Sequence, residues 1–182
     1  MIKQRWRMLA CVSACLSAGV SLLGACGPGR SYPAERAVLR AALMELFSRR
    51  EQAQAITVWH DPREQAPTLS YYGGPYDHHD TLQLQVVDTT GFGLPFRVER
   101  TTLREVETYF KARPKGWDAW LADHPGNAGI VEVTKPRMYA DSAVIVVGRA
   151  CGEICRSAWR VVVARRDTSW VVQRVDVLNV LR

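Results

Sequence analysis

From Asp141 to Arg182 the chain passes through three apolar, β-branched stretches, Ala143–Val147, Val161–Ala164 and Trp170–Val172. Two breaks separate them, Cys151-Gly-Glu-Ile-Cys155 and Arg166-Asp-Thr-Ser169. Strand-length runs bounded by turn residues predict an antiparallel meander. Val144–Val147 is apolar at every position, which predicts a central strand covered on both faces. Far upstream, Val38, Leu39, Ala42, Leu43, Leu46 and Phe47 recur at three-and-four spacing. That period predicts an amphipathic helix of about five turns, with Arg40, Glu45 and Arg49 on its wet side. Pro33 suits the first turn of this helix and Ser31 its cap.

Between these two regions the pattern changes several times. Ala55–Trp59 reads as a strand stopped by Pro62. Arg63–Asp80 is polar and rich in Pro, Gly, Tyr and His, and predicts a long loop with a short strand near Leu69. Leu82–Val87 alternates and reads as a half-buried strand. Thr90–Pro95 is rich in turn residues. Thr102 and Glu105 form a capping box, and Leu103, Val106 and Phe110 give the helix behind it an apolar face that ends at Pro114. Gly116–Leu121 predicts one further helical turn or two, broken at His124-Pro-Gly-Asn127, and Ile130–Val133 starts the sheet. The expected architecture is one α+β domain over residues 31–182, an antiparallel sheet packed by an N-terminal and a middle helix. Helices against a bent antiparallel sheet resemble the cystatin-like or NTF2-like cone, an analogy of fold that carries no function by itself.

The first 25 residues follow a different pattern. Lys3, Arg5 and Arg7 precede an uncharged run, Met8–Leu23, of apolar and small residues. A cationic segment followed by such a run predicts a secretory signal. The run is too short and too rich in Ser, Ala and Gly for a membrane span. It closes on Leu23-Gly24-Ala25-Cys26, which resembles a bacterial lipobox; the other reading is a plain secretory signal with a poorly formed cleavage site. The lipobox resemblance implies that residues 1–25 are removed, that Cys26 is acylated, and that residues 26–30 tether the domain to the bilayer. In a bacterium with two membranes it also implies the periplasmic face of the outer membrane. Two or three acyl chains anchor a protein stably, because each buried CH₂ contributes about 0.8 kcal/mol.

Charge and cysteine content then change the picture. The formal net charge of +6 includes the three cations of the leader. Without them, 21 basic side chains face 18 acidic ones, scattered along the chain. That balance argues against nucleic acid as a partner. Of five cysteines, the lipobox resemblance implies that Cys11 and Cys15 leave with the leader and that Cys26 carries lipid. Cys151 and Cys155 remain, and in an oxidising compartment such a pair forms a disulfide. Its small loop stabilises by about 2 kcal/mol on the chain-entropy view. The alternative, a redox pair, is disfavoured, because redox motifs hold two residues between the cysteines and place one thiol at a helix N-terminus.

The C-terminal pattern resembles a group of uncharacterised exported bacterial proteins and lipoproteins. They share an apolar strand, Cys-Gly-x-x-Cys, a second strand, a charged turn and Trp-x-Val-Val. Here the matching residues are Ala143–Val147, Cys151-Gly152 with Cys155, Val161–Ala164 and Trp170–Val172, with Arg156 where many such chains have Gly. The resemblance supports the disulfide and the fold, and implies no activity.

Other groups could carry chemistry. Asp77, His78, His79 and Asp80 form the densest set of metal-competent side chains, and His60, Asp61 and His124 could join it. Imidazole and carboxylate suit zinc, but no spaced metal motif is present, and a solvated loop is the plainer reading. Tyr71, Tyr72 and Tyr76 offer amphipathic contact area for a partner, or pack on one another. Trp117 and Trp120, like Trp159 and Trp170, read as core. No nucleophile elbow or phosphate loop occurs, so no catalytic residue and no cofactor is assigned. The expectation is a non-catalytic binding module of the envelope, with the lipid bilayer and an envelope protein as partners. The alternative is an NTF2-like ligand binder or minor enzyme with a pocket between helices and sheet, to which His60, Asp88 and Glu132 would contribute.

Overall fold

The computed structural model describes residues 33–59, 68–73, 78–85 and 87–180, with side chains described outside 68–85 and 179–180. Ser31–Arg182 forms one compact unit of the chain. Its first element, α1, spans Pro33–Leu43, and Pro33 opens it as the spacing predicts. The helix then widens into a π-helical segment, Met44–Arg50, closed by Glu51 N donating to Leu46 O at 3.0 Å. Val38, Leu39, Ala42, Leu43, Leu46 and Phe47 are all buried, so the apolar stripe survives the change of helix type. Phe47 packs edge-on against Phe96 and Trp159, with ring centroids 6.4 and 6.1 Å away.

The stripe lies on a mostly antiparallel sheet. β1 spans Ala55–Trp59, β2 Thr68–Gly73, β3 His78–Gln85 and β4 Arg97–Thr101. β5 covers Asn127–Thr134, β6 Arg137–Met138, β7 Ser142–Ala150, β8 Arg156–Arg166 and β9 Ser169–Val180. The meander β7–β8–β9 is as predicted. β7 pairs with β8 from Ser142↔Ala164 to Ala150↔Arg156. β8 pairs with β9 through a bulge between Val162 and Val163. The two-residue turn Asp167-Thr168 closes the second hairpin, with Asp167 at φ 52, a left-handed conformation that Asp tolerates. β7 is central, bonded to β5 and β6 on one side and β8 on the other. Val131, Val133, Ile145, Val147, Trp159, Val161 and Val163 form the core under α1.

Two features depart from the sequence reading. The strand expected near Leu69 is present as β2, but the described part of Arg63–Asp80 is strand beyond it: β2 and β3 pair antiparallel with Tyr71↔Asp80 and Tyr72↔His79 in register. β2 pairs with β9 and β3 with β5, so backbone pairing on the outer side of each strand overrides the weak strand propensity of Asp, His and Gly. The second departure is β4, a charged strand that pairs with β1 in parallel from Ala55↔Arg97 to Trp59↔Thr101. β1 is also parallel to β5, so one end of the sheet is parallel. Two helices, α2 (Leu103–Ala112) and α3 (Gly116–Asp123), make the crossover that a parallel connection requires. They cover a second, aromatic core of Trp59, Trp120 and Ile130, joined by Tyr109, Phe110 and Trp117. The predicted capping box at Thr102 and Glu105 is formed.

Candidate functional site

The parallel end of the sheet gathers a polar cluster. Strand register sets Thr57 beside Glu99 and Ala55 beside Asn127. Asn127 Nδ2 donates to Thr57 Oγ1 at 2.8 Å and to Glu99 Oε2 at 2.9 Å. Its Oδ1 accepts from Gly129 N at 2.8 Å, which fixes the orientation of the amide. Gly129 sits at φ +121, and a Cβ there would lie 2.2 Å from the Ala150 carbonyl oxygen, so only glycine fits. Arg97 Nη2 lies 3.2 Å from the other carboxylate oxygen of Glu99.

His124 follows the last turn of α3 and completes the cluster. Its Nδ1 is 2.8 Å from Glu99 Oε2. Its ring stacks on Trp120 at 4.1 Å between centroids and 20° between planes. Burial pushes the Glu99 carboxyl up, but hydrogen bonds from His124 and Asn127 and the charges of His124 and Arg97 outweigh it and hold the group below its ordinary range. An ionised Glu99 accepts the hydrogen bond of His124 Nδ1–H, so Nε2 is the ring nitrogen left outside this contact. An imidazole oriented by a carboxylate can accept a proton or ligate a metal. Thr57, the hydroxyl inside this network, is buried and already engaged with both Asn127 and Glu99. The cluster therefore holds no nucleophile aligned for attack, and its evident effect is to tie β1, β4, β5 and α3 together.

A neighbouring pair extends this surface. Tyr109 OH donates to Asp123 Oδ2 at 2.8 Å. The Arg113 guanidinium bonds the same carboxylate at 3.3 Å and lies 4.8 Å over the Tyr109 ring.

The residues singled out from sequence fall in different places. Cys151 and Cys155 are joined as a disulfide, with 5.0 Å between Cα atoms, and Cys151 N donates to Cys155 O at 2.8 Å. The bridge lies in the connection between strands β7 and β8. Tyr71 and Tyr72 lie on β2; His78, His79 and Asp80 lie on β3, not in the loop expected for them. Cys26, His60, Asp61, Tyr76 and Asp77 lie outside the described residues. Among the described residues no three metal-ligating side chains come together, and His124 is committed to Glu99.

Asp88 and Glu132 make separate contacts. Asp88 pairs with Arg36 at 3.0 Å and accepts from Thr90 N at 3.0 Å; the bonds to Thr90, reinforced by Arg36, hold its carboxyl low. Glu132 alternates with Val131 and Val133, which face α1, so the pleat turns it to the other face of the sheet. Burial there raises its pKa, against the pull of Arg156. On that face Glu132 is two residues from Ile130, which packs in the aromatic core under α2 and α3.

A cleft does open at the edge of the helix–sheet contact. Its volume is about 290 Å³, between Ala37, Ala41 and Met44 on α1 and its extension and Trp170 and Val172 on β9. Arg40 and Arg49 stand among its walls, and Thr168 and Ser169 lie at the hairpin turn. The sequence reading missed it, because Ala37, Ala41 and Met44 flank the buried stripe and read as ordinary boundary positions. Comparisons of the chain with protein families, with curated proteins and with solved structures found no match.

Proposed function

We propose that this chain is an exported bacterial lipoprotein, held by an acylated Cys26 at the periplasmic face of the outer membrane, whose folded domain is a non-catalytic binding module. The observation that carries the reading is Leu23-Gly24-Ala25-Cys26 at the end of a cationic and then apolar leader. The Cys151–Cys155 bridge is what an oxidising compartment would produce. Its resemblance to exported proteins with a Cys-Gly-x-x-Cys hairpin agrees with this. The polar cluster at Glu99 supports binding over catalysis, since its hydroxyl and carboxylate are consumed in holding strands. A partner protein of the envelope would meet Tyr71, Tyr72 and Tyr76.

Metabolic labelling with an alkyne-bearing palmitate tests the anchor. The native chain should take up label and Cys26→Ser should not. A native chain that stays unlabelled contradicts the reading.

The second reading, a small-ligand binder of the cystatin-like or NTF2-like kind, is favoured by the cleft between α1 and β9.

A further inference from the structure

We infer that the cleft between α1 and β9 binds a small amphipathic carboxylate, its acid on Arg40 and its hydrocarbon along Ala41, Met44 and Trp170. The inference rests on the binding-module reading of the folded domain and not on the lipid anchor. The cleft's shape comes from spacing. Ala37, Ala41 and Met44 recur at four and three residues, so they form one stripe beside the buried one. Two alanines let a ligand approach the helix backbone, and Met44 supplies an unbranched, adaptable wall. Opposite them, Trp170 and Val172 are partly buried and packed against the main core, so that wall is fixed.

The electrostatics select an anion. Two arginines and no acid line the cleft. Arg49 is partly neutralised, since Glu45 lies 3.3 Å from it and 3.1 Å from Arg50. Arg40 is different. Its Nε donates to the Phe92 carbonyl, and among the described residues no carboxylate pairs with it. A guanidinium anchored through Nε presents its two terminal nitrogens as a pre-set fork for a carboxylate. The hydroxyls of Thr168 and Ser169 add neutral donors at the turn. The size selects a small molecule. At about 290 Å³ the cleft lies at the lower end of ligand sites, roughly 300–1,000 Å³, and is too small to be the seat of a stable protein partner.

The test is calorimetric titration of the full chain, as purified from its host, with sodium octanoate. The chain is held in zwitterionic nanodiscs, with empty discs subtracted, or is free in solution if it proves unlipidated. Octanoate should bind saturably and at least about tenfold more tightly than octanamide, the gain expected from a charge-assisted pair. Arg40→Gln should weaken octanoate by a similar factor and leave octanamide unchanged. Ala37→Phe, which fills the cleft from a partly exposed position, should abolish both, with the thermal transition of each variant confirming the fold. Equal affinity for octanoate and octanamide, no saturable binding by a folded chain, or indifference to both substitutions would overturn the proposal. So would adsorption to phosphatidylglycerol vesicles that depends on Arg40 in the absence of octanoate binding, since the occupant would then be a bilayer surface.

Discussion

Glu99 and Glu132 are two glutamates of one sheet with opposite electrostatic fates. Glu99 is held ionised by His124, Asn127 and Arg97 against its burial. Its folded pKa lies below the ordinary value of 4.5, so the stability it contributes is present above that pH and is lost as pH falls through the folded value. Glu99→Gln should therefore destabilise the domain at pH 7 by about 1–3 kcal/mol and flatten the loss of stability on acidification; urea titrations at pH 7 and at stepwise lower pH read both effects. Glu132 has the reverse sign. Burial raises its pKa, so ionisation opposes folding and stability falls as pH rises from the ordinary value through the raised one. Glu132→Gln should raise the melting temperature at neutral pH, on the order of 2–4 °C, with no gain at acid pH. Gly129 carries the steric counterpart. Gly129→Ala forces a Cβ to within 2.2 Å of the Ala150 carbonyl at a positive φ and should cost about 3 kcal/mol or more by chemical denaturation.

Among elements, α1 and the β7–β8–β9 meander form the main core, and both were legible because their apolar positions follow one period over many residues. Phe47 shows why the helix matters. It is wholly buried between Phe96 and Trp159, and Phe47→Ala should cost about 3–5 kcal/mol in equilibrium unfolding. The capping box of α2 was legible too, because its signal is local chemistry at fixed offsets. β4 was not. Arg-Val-Glu-Arg-Thr carries only one apolar residue, and its strand state comes from pairing with β1. Of the β2–β3 pair, the strands near Leu69 and from Leu82 were legible, but Tyr71–Gly73 and His78–Asp80 were read as loop for the same reason: the pairing partners β9 and β5 are remote in sequence. The polar cluster was invisible as a unit, since Thr57, Glu99, His124 and Asn127 meet only through the parallel register and the α2–α3 crossover. The one cue in the sequence was His124 beside Asn127 at the break after α3.

At the scale of the whole molecule, the folded domain carries a disulfide between β7 and β8, and we propose that the residues before it serve as leader and tether. Removing the staple with Cys151→Ser and Cys155→Ser together should lower stability by about 2 kcal/mol and leave the sheet intact by circular dichroism. The central claim is that the domain is presented from a membrane in an oxidising compartment. Intact mass spectrometry of the protein extracted from its own host's envelope, alkylated before reduction, tests it most directly. The expected species is a mature chain that starts at Cys26, carries acyl chains on that residue, and shows Cys151 and Cys155 protected from alkylation. A chain without acyl groups, or one that starts elsewhere with both thiols free, would contradict it.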